Sequence, residues 1–191
     1  MTSAADTRDI AGWLRPAMLF QRGVFALSQA AAVLAALLVV GMTLHILLEI
    51  VLRLLDRSTF ILDEMVGYGI AGATFLSLGY AFEHSALVRV GLLVDRLRGR
   101  ARRMVETFCG ITTLAVTSQI AWVIARSALR SFERGRTSSS IAEIPLWIPE
   151  AVCAAGLMIF GLQVFAWTLR QIFDLPGPVA PGDEDPLQND L

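Results

Sequence analysis

Few side chains in this sequence are chemically versatile, and their spacing decides what they can do. His45 and His84 are the two histidines, Cys109 and Cys153 the two cysteines. Neutral imidazoles on facing helices can ligate one haem iron, so a membrane anchor for a redox enzyme is one chemistry to consider. Depth argues against it. His45 lies about twenty residues into one apolar run and His84 just beyond the next, so at about 1.5 Å per residue most of a membrane separates them. Two cysteines and two histidines form no cluster with zinc spacing. The cysteines fall at opposite membrane depths, which disfavours a disulfide. A phosphate loop, an HExxH and a Ser/His/Asp arrangement are all missing from the sequence. No catalytic residue, metal site or cofactor is therefore expected, and the chain reads as a non-enzyme.

The remaining polar residues stand at the edges of apolar runs. The chain has 191 residues, 55% of them hydrophobic and only 17% charged, against about a quarter charged in soluble domains. This is the composition of a membrane protein. All sixteen basic residues are arginine and net charge is −1, which gives nucleic-acid binding no support.

The organising stretch is ILDEMVGYGIAGATFLSLGYAFEHSALVRVGLLVDRL, Ile61 to Leu97. Asp63 and Glu64 stand at its head, where a helix dipole favours negative charge. The crossing from Leu62 to Phe82 is about 21 residues, enough for the roughly 30 Å of bilayer hydrocarbon. Gly69, Ala73 and Ser77 recur four apart on one face, which allows close approach of another helix. Beyond it, Val90, Leu93, Val94, Leu97, Ala101 and Met104 keep helical spacing among arginines. That pattern predicts an amphipathic helix over 88–104, lying in the membrane interface.

The full reading is an all-α integral membrane protein with four transmembrane helices plus this interfacial helix. The crossings are expected at about 24–48, 62–82, 105–128 and 151–172. Residues 1–23 form a retained N-terminal segment, because the apolar run after it is too long and too late for a signal peptide. Residues 173–191, rich in proline and acids, are expected to be disordered. Glu49 and Arg53, four apart, should extend the first helix past the bilayer. Gly135, the run Thr137 to Ser140, Pro145 and Pro149 mark a loop before the last crossing, with Trp147 as a headgroup-level anchor. The third crossing has a hydroxyl-bearing side, including Thr112, Thr113 and Thr117, that can bond across to a neighbouring helix. Orientation follows from arginine: Arg89, Arg96, Arg98, Arg100, Arg102 and Arg103 share one short loop, so that loop and both termini are expected in the cytoplasm.

The order of the crossings, the carboxylates Asp63 and Glu64, the exit GYAFEHSALVRVGLLVDRL and the later SSSIAEIPLWIPE resemble the small permease subunit, DctQ-like, of tripartite ATP-independent periplasmic (TRAP) transporters. The resemblance covers roughly Phe25 to Ile172. Where that family usually reads His-x-Arg-Val-Asp, this chain has Leu87, Val88, Arg89, Val90 and Gly91. Arg89 and Val90 are kept; the histidine and aspartate are not. Asp95, Arg96 and Leu97 match the family's acidic-Arg-Leu ending, and Pro145, Leu146 and Trp147 its Pro-Leu-Trp.

The resemblance implies a scaffold in the bacterial inner membrane. The partners would be a large permease subunit carrying the substrate and sodium sites, and a periplasmic binding protein delivering a small organic acid. Uptake would be driven by an ion gradient. Candidate assembly residues are Glu64, Gly69, Ala73, Ser77, Arg89, Asp95, Arg96, Pro145 and Trp147. The alternatives are the redox-enzyme anchor, which a haem absorption band would favour, and a self-contained channel or exporter, which transport by this chain alone would favour.

Overall fold

The structure is a computed structural model that describes the backbone of residues 6–84, 100–140 and 143–173, and the side chains of 19–84, 104–140 and 143–172. Among the described residues it has four long helices: α1 (Asp6–Leu54), α2 (Leu62–Glu83), α3 (Arg100–Glu133) and α4 (Trp147–Phe173). Each holds a stretch long and apolar enough to span a bilayer, at Leu19–Leu54, Leu62–Glu83, Met104–Glu133 and Trp147–Ile172.

The expected interfacial helix does not stand as a separate element among the described residues. Most of its range, 88–99, lies outside them, and Arg100 to Met104 begin α3 instead. The apolar spacing there runs on without interruption into an apolar span, so the last turn of the amphipathic pattern joins the crossing helix. The tail after Phe173, and Arg89, Asp95 and Arg96, also lie outside the described residues.

The ends of α1 and α3 that face the short loops are built alike. In each, a residue in the left-handed region reverses the chain: Asp56 (φ 55°) after α1 and Gly135 (φ 55°) after α3. The last turns then close through Arg57 N–H to Leu52 O at 2.9 Å and Arg136 N–H to Ser131 O at 2.9 Å. This is the Schellman arrangement, in which orphan helix carbonyls find donors. α4 starts with Pro149 in its first turn, where the missing N–H costs nothing.

α4 is the central helix. It packs on α1, α2 and α3, and α2 packs on α1; among the described helices α3 touches α4 alone. A small core of Ala31, Ala35 and Leu76, with Leu38, Ala73, Val152 and Ile159 against it, joins α1, α2 and α4. The helix backbones come close at Gly156, where an added Cβ would stand 2.6 Å from the backbone carbonyl carbon and oxygen of Phe75. Edge-on ring contacts of Phe82 with Phe160 (5.7 Å) and Trp167 (5.8 Å) hold the other end of the α2–α4 pair.

Candidate functional site

Glu64 and Glu49 organise one end of the bundle. Glu64, on the first turn of α2, accepts a hydrogen bond from Tyr68 Oη at 2.7 Å, and its other oxygen accepts one from Ser140 Oγ. Ser138 also bonds to this carboxylate. The loop before α4 is thereby tied to α2. That loop is itself a narrow hairpin: Thr137 and Pro145 form an antiparallel bridge, Ser138 N–H donates to Ile144 O, and Leu146 N–H donates to Arg136 O. Trp147 stands edge-on to Phe132 at 5.4 Å and clips the start of α4 to the end of α3.

Glu49 does the same for the loop between α1 and α2. It is 1% exposed. One oxygen accepts from Arg53 Nε (3.1 Å) and Ser58 Oγ (2.5 Å), the other from Thr59 N (2.9 Å) and Thr59 Oγ1 (2.6 Å). With all four acceptor positions filled, the carboxylate fixes a loop and has no capacity left for a cation. Phe60, at φ 59°, carries the backbone strain of this turn. Asp63 is exposed beside the cluster and borders a shallow pocket with Glu49, Arg53 and Ser58.

The other end of the bundle holds a buried ionic network. Arg170 of α4 donates to both oxygens of Glu83 on α2, at 2.7 and 2.6 Å. The two side chains are only 11% and 13% exposed. Gln163 Nε2 donates to Glu83 at 2.5 Å, and Gln163 Oε1 accepts from Ser28 Oγ of α1 at 3.1 Å. One connected set of polar groups thus crosses α1, α4 and α2. A forked guanidinium pairing of this kind is the strong form of an ion pair, and it fixes the register of the helices it joins.

The small-residue face of α2 is occupied from within the chain. Gly69 lies against Met42 of α1, Gly72 against Leu38 and Val152, and Gly79 against Ser28 and Ile159. Ala73 packs on the core, and Ser77 Oγ turns back to Thr74 O at 3.0 Å. Between α1, α2 and α4 a half-open apolar cavity of about 790 Å³ is lined by Leu34, Met42, His45, Tyr68 and Ile148 among others. His45 Nε2 is buried there without a hydrogen-bond partner. His84, at the far end of α2, stacks on Tyr80 at 4.0 Å. From Val66, which shares the cavity with His45, to His84 is roughly 27 Å of helix, so the two rings serve separate ends.

Sequence reasoning therefore reached the Glu64 end and missed the network of Ser28, Glu83, Gln163 and Arg170. The signal was the presence of polar residues near one end of three apolar runs: Ser28 in α1, Glu83 closing α2, and Gln163 in α4.

Four membrane-spanning helices whose carboxylates Glu49, Glu64 and Glu83 are spent on loops and helix ends define a multi-pass membrane subunit. The chain belongs to the DctQ component family of tripartite ATP-independent periplasmic transporters, whose family model matches residues 42–174. It is a transporter component and not an enzyme. Neither the curated proteins nor the solved structures yield a match.

Proposed function

We propose that this chain is the small scaffold subunit of a TRAP-type secondary transporter. It widens the fixed part of a large permease subunit, which carries the substrate and sodium sites. A periplasmic binding protein delivers a small organic acid, and an ion gradient drives uptake. The observation that carries this reading is the family match across residues 42–174, together with the internal saturation of the carboxylates Glu49, Glu64 and Glu83. A carboxylate already holding a loop or an arginine is poorly placed to bind a moving ion.

Arginine placement supports both termini and the 85–103 segment in the cytoplasm, with the loops after α1 and α3 outside. On that orientation, Glu64, Pro145 and Trp147 shape an outer surface for the binding protein. Arg89, Asp95 and Arg96 belong to the amphipathic stretch of sequence that leads into α3, whose arginines grip headgroups at about 1 kcal/mol each and resist tilting of the scaffold. Gly69, Ala73 and Ser77 serve assembly indirectly, by setting how closely α2 packs on α1 within the scaffold.

Reconstitution tests the reading. The chain, the large permease and the binding protein are placed in liposomes together and singly, and sodium-dependent organic-acid uptake is followed. Uptake is expected only with all three. Robust uptake from this chain alone would overturn the scaffold reading and favour the self-contained channel.

A further inference from the structure

α3 has two opposite faces of different character. Gly110, Thr117, Ala121 and Ala128 are buried toward α4, where Gly110 meets Thr168 and Trp167. On the other side Thr112, Ala115, Gln119, Trp122 and Arg126 follow at spacings of three and four, all exposed. That alternation is the seam by which one helix packs along another.

The seam is not built for lipid. Gln119 stands at the middle of the apolar span Met104–Glu133, about 15 Å from either edge of the hydrocarbon, farther than its side chain can reach. Among the described residues neither its amide nor the Thr112 hydroxyl has a partner. An amide without a hydrogen bond in hydrocarbon costs several kcal/mol. On α1 and α2, by contrast, the exposed Thr43 and Thr74 are satisfied within their own helices, by Val39 O at 2.9 Å and Ile70 O at 2.8 Å. The exposed side of α1 away from the cavity shows the lipid-facing pattern instead, with Val33, Val40, Leu44 and Leu47.

A second copy of the chain fits the seam badly. Copies inserted in one membrane share an orientation, so a two-fold contact would set Arg126 against Arg126. Arg126 lies 4.3 Å over the Trp122 ring and has no carboxylate partner among the described residues. Like charges held face to face near hydrocarbon repel strongly. A different protein with an acceptor at that depth removes both problems.

We infer that the Thr112–Arg126 seam of α3 docks a transmembrane helix of the large permease subunit, which presents a hydrogen-bonding side chain opposite Gln119 and an acceptor group for Arg126. This rests on the scaffold reading above. Interhelical hydrogen bonds in membranes change association by about threefold to thirtyfold, and Ala115 leaves room for close backbone approach.

The test uses the whole complex in membranes. A photo-crosslinking amino acid at Ala115 is expected to capture the large permease, while the same probe at Val40 of α1 captures lipid. Gln119→Leu is expected to lower the yield of complex threefold to thirtyfold while the chain inserts normally, since leucine favours insertion. Capture of a second copy, or of lipid alone, from position 115 in a complex that co-purifies and transports would overturn the seam and leave the scaffold reading intact. Failure of the unaltered chain to co-purify with any large permease would overturn both.

Discussion

At the scale of single residues, the carboxylates divide by what they hold. Glu83 and Arg170 form a mostly buried ion pair, so removing one partner leaves a charge without compensation, at a cost of about 3–5 kcal/mol. Arg170→Met should therefore lower the thermal unfolding midpoint in detergent sharply. Adding Glu83→Gln to it should recover much of the loss, because the uncompensated charge goes too. Glu64 is different, since its partners Tyr68 and Ser140 are neutral. Glu64→Ala should free the loop before α4 and weaken assembly or transport while insertion persists; Arg89→Ala, at the other end of this stretch, should behave alike. Complex yield and uptake equal to wild type in both variants would reduce these charges to helix-end decoration. The residue scale is also where sequence reading was weakest. Glu49 was legible as an i, i+4 partner of Arg53, but its bonds to Ser58 and Thr59 depend on the turn through Asp56 and Phe60, two left-handed residues of which only the aspartate is of a type that favours that region.

At the scale of elements, the crossings were legible because apolar run length is a direct consequence of bilayer thickness. Gly135 was legible as a turn for the same kind of reason, since it lacks the Cβ that a positive φ disfavours. What a small-residue stripe packs against cannot be read from one chain's spacing: the Gly69–Ala73 face meets α1, whereas the glycine that lies against another helix's backbone is Gly156. This gives a paired prediction. Gly156→Ala would push a methyl group into the Phe75 carbonyl and force α2 and α4 apart, at a cost of about 1–3 kcal/mol. Gly67→Ala on α2 meets open space and should be neutral or stabilising by up to about 1 kcal/mol through helix propensity. Thermal midpoints of the two variants should move in opposite directions or only the first should fall. Equal losses would mean that α2 and α4 do not approach as closely as the structure places them.

At the scale of the whole molecule, the two ends of the bundle are chemically distinct, and that asymmetry fixes a testable orientation. One end carries the short loops after α1 and α3, pinned by Glu49 and Glu64, with Arg57, Asp63, Arg134 and Arg136 exposed around them. The other carries the Glu83–Arg170 pair and the arginine-dense segment that leads into α3. Basic residues on short connections resist translocation, and the orientation proposed above therefore keeps the end with six arginines between α2 and the α3 span in the cytoplasm. Because the loop before α4 is a closed hairpin, a probe on it reports the position of that whole end. Ser139 is exposed at its tip, beside the residues that bond Glu64. In a chain with Cys109→Ala and Cys153→Ala, Ser139→Cys should react with a membrane-impermeant maleimide added to intact spheroplasts, and Ser85→Cys should react only after the membrane is opened. The reverse pattern would place the hairpin in the cytoplasm, turning the Glu64 end away from any periplasmic binding protein and removing the outer-surface role proposed for Pro145 and Trp147.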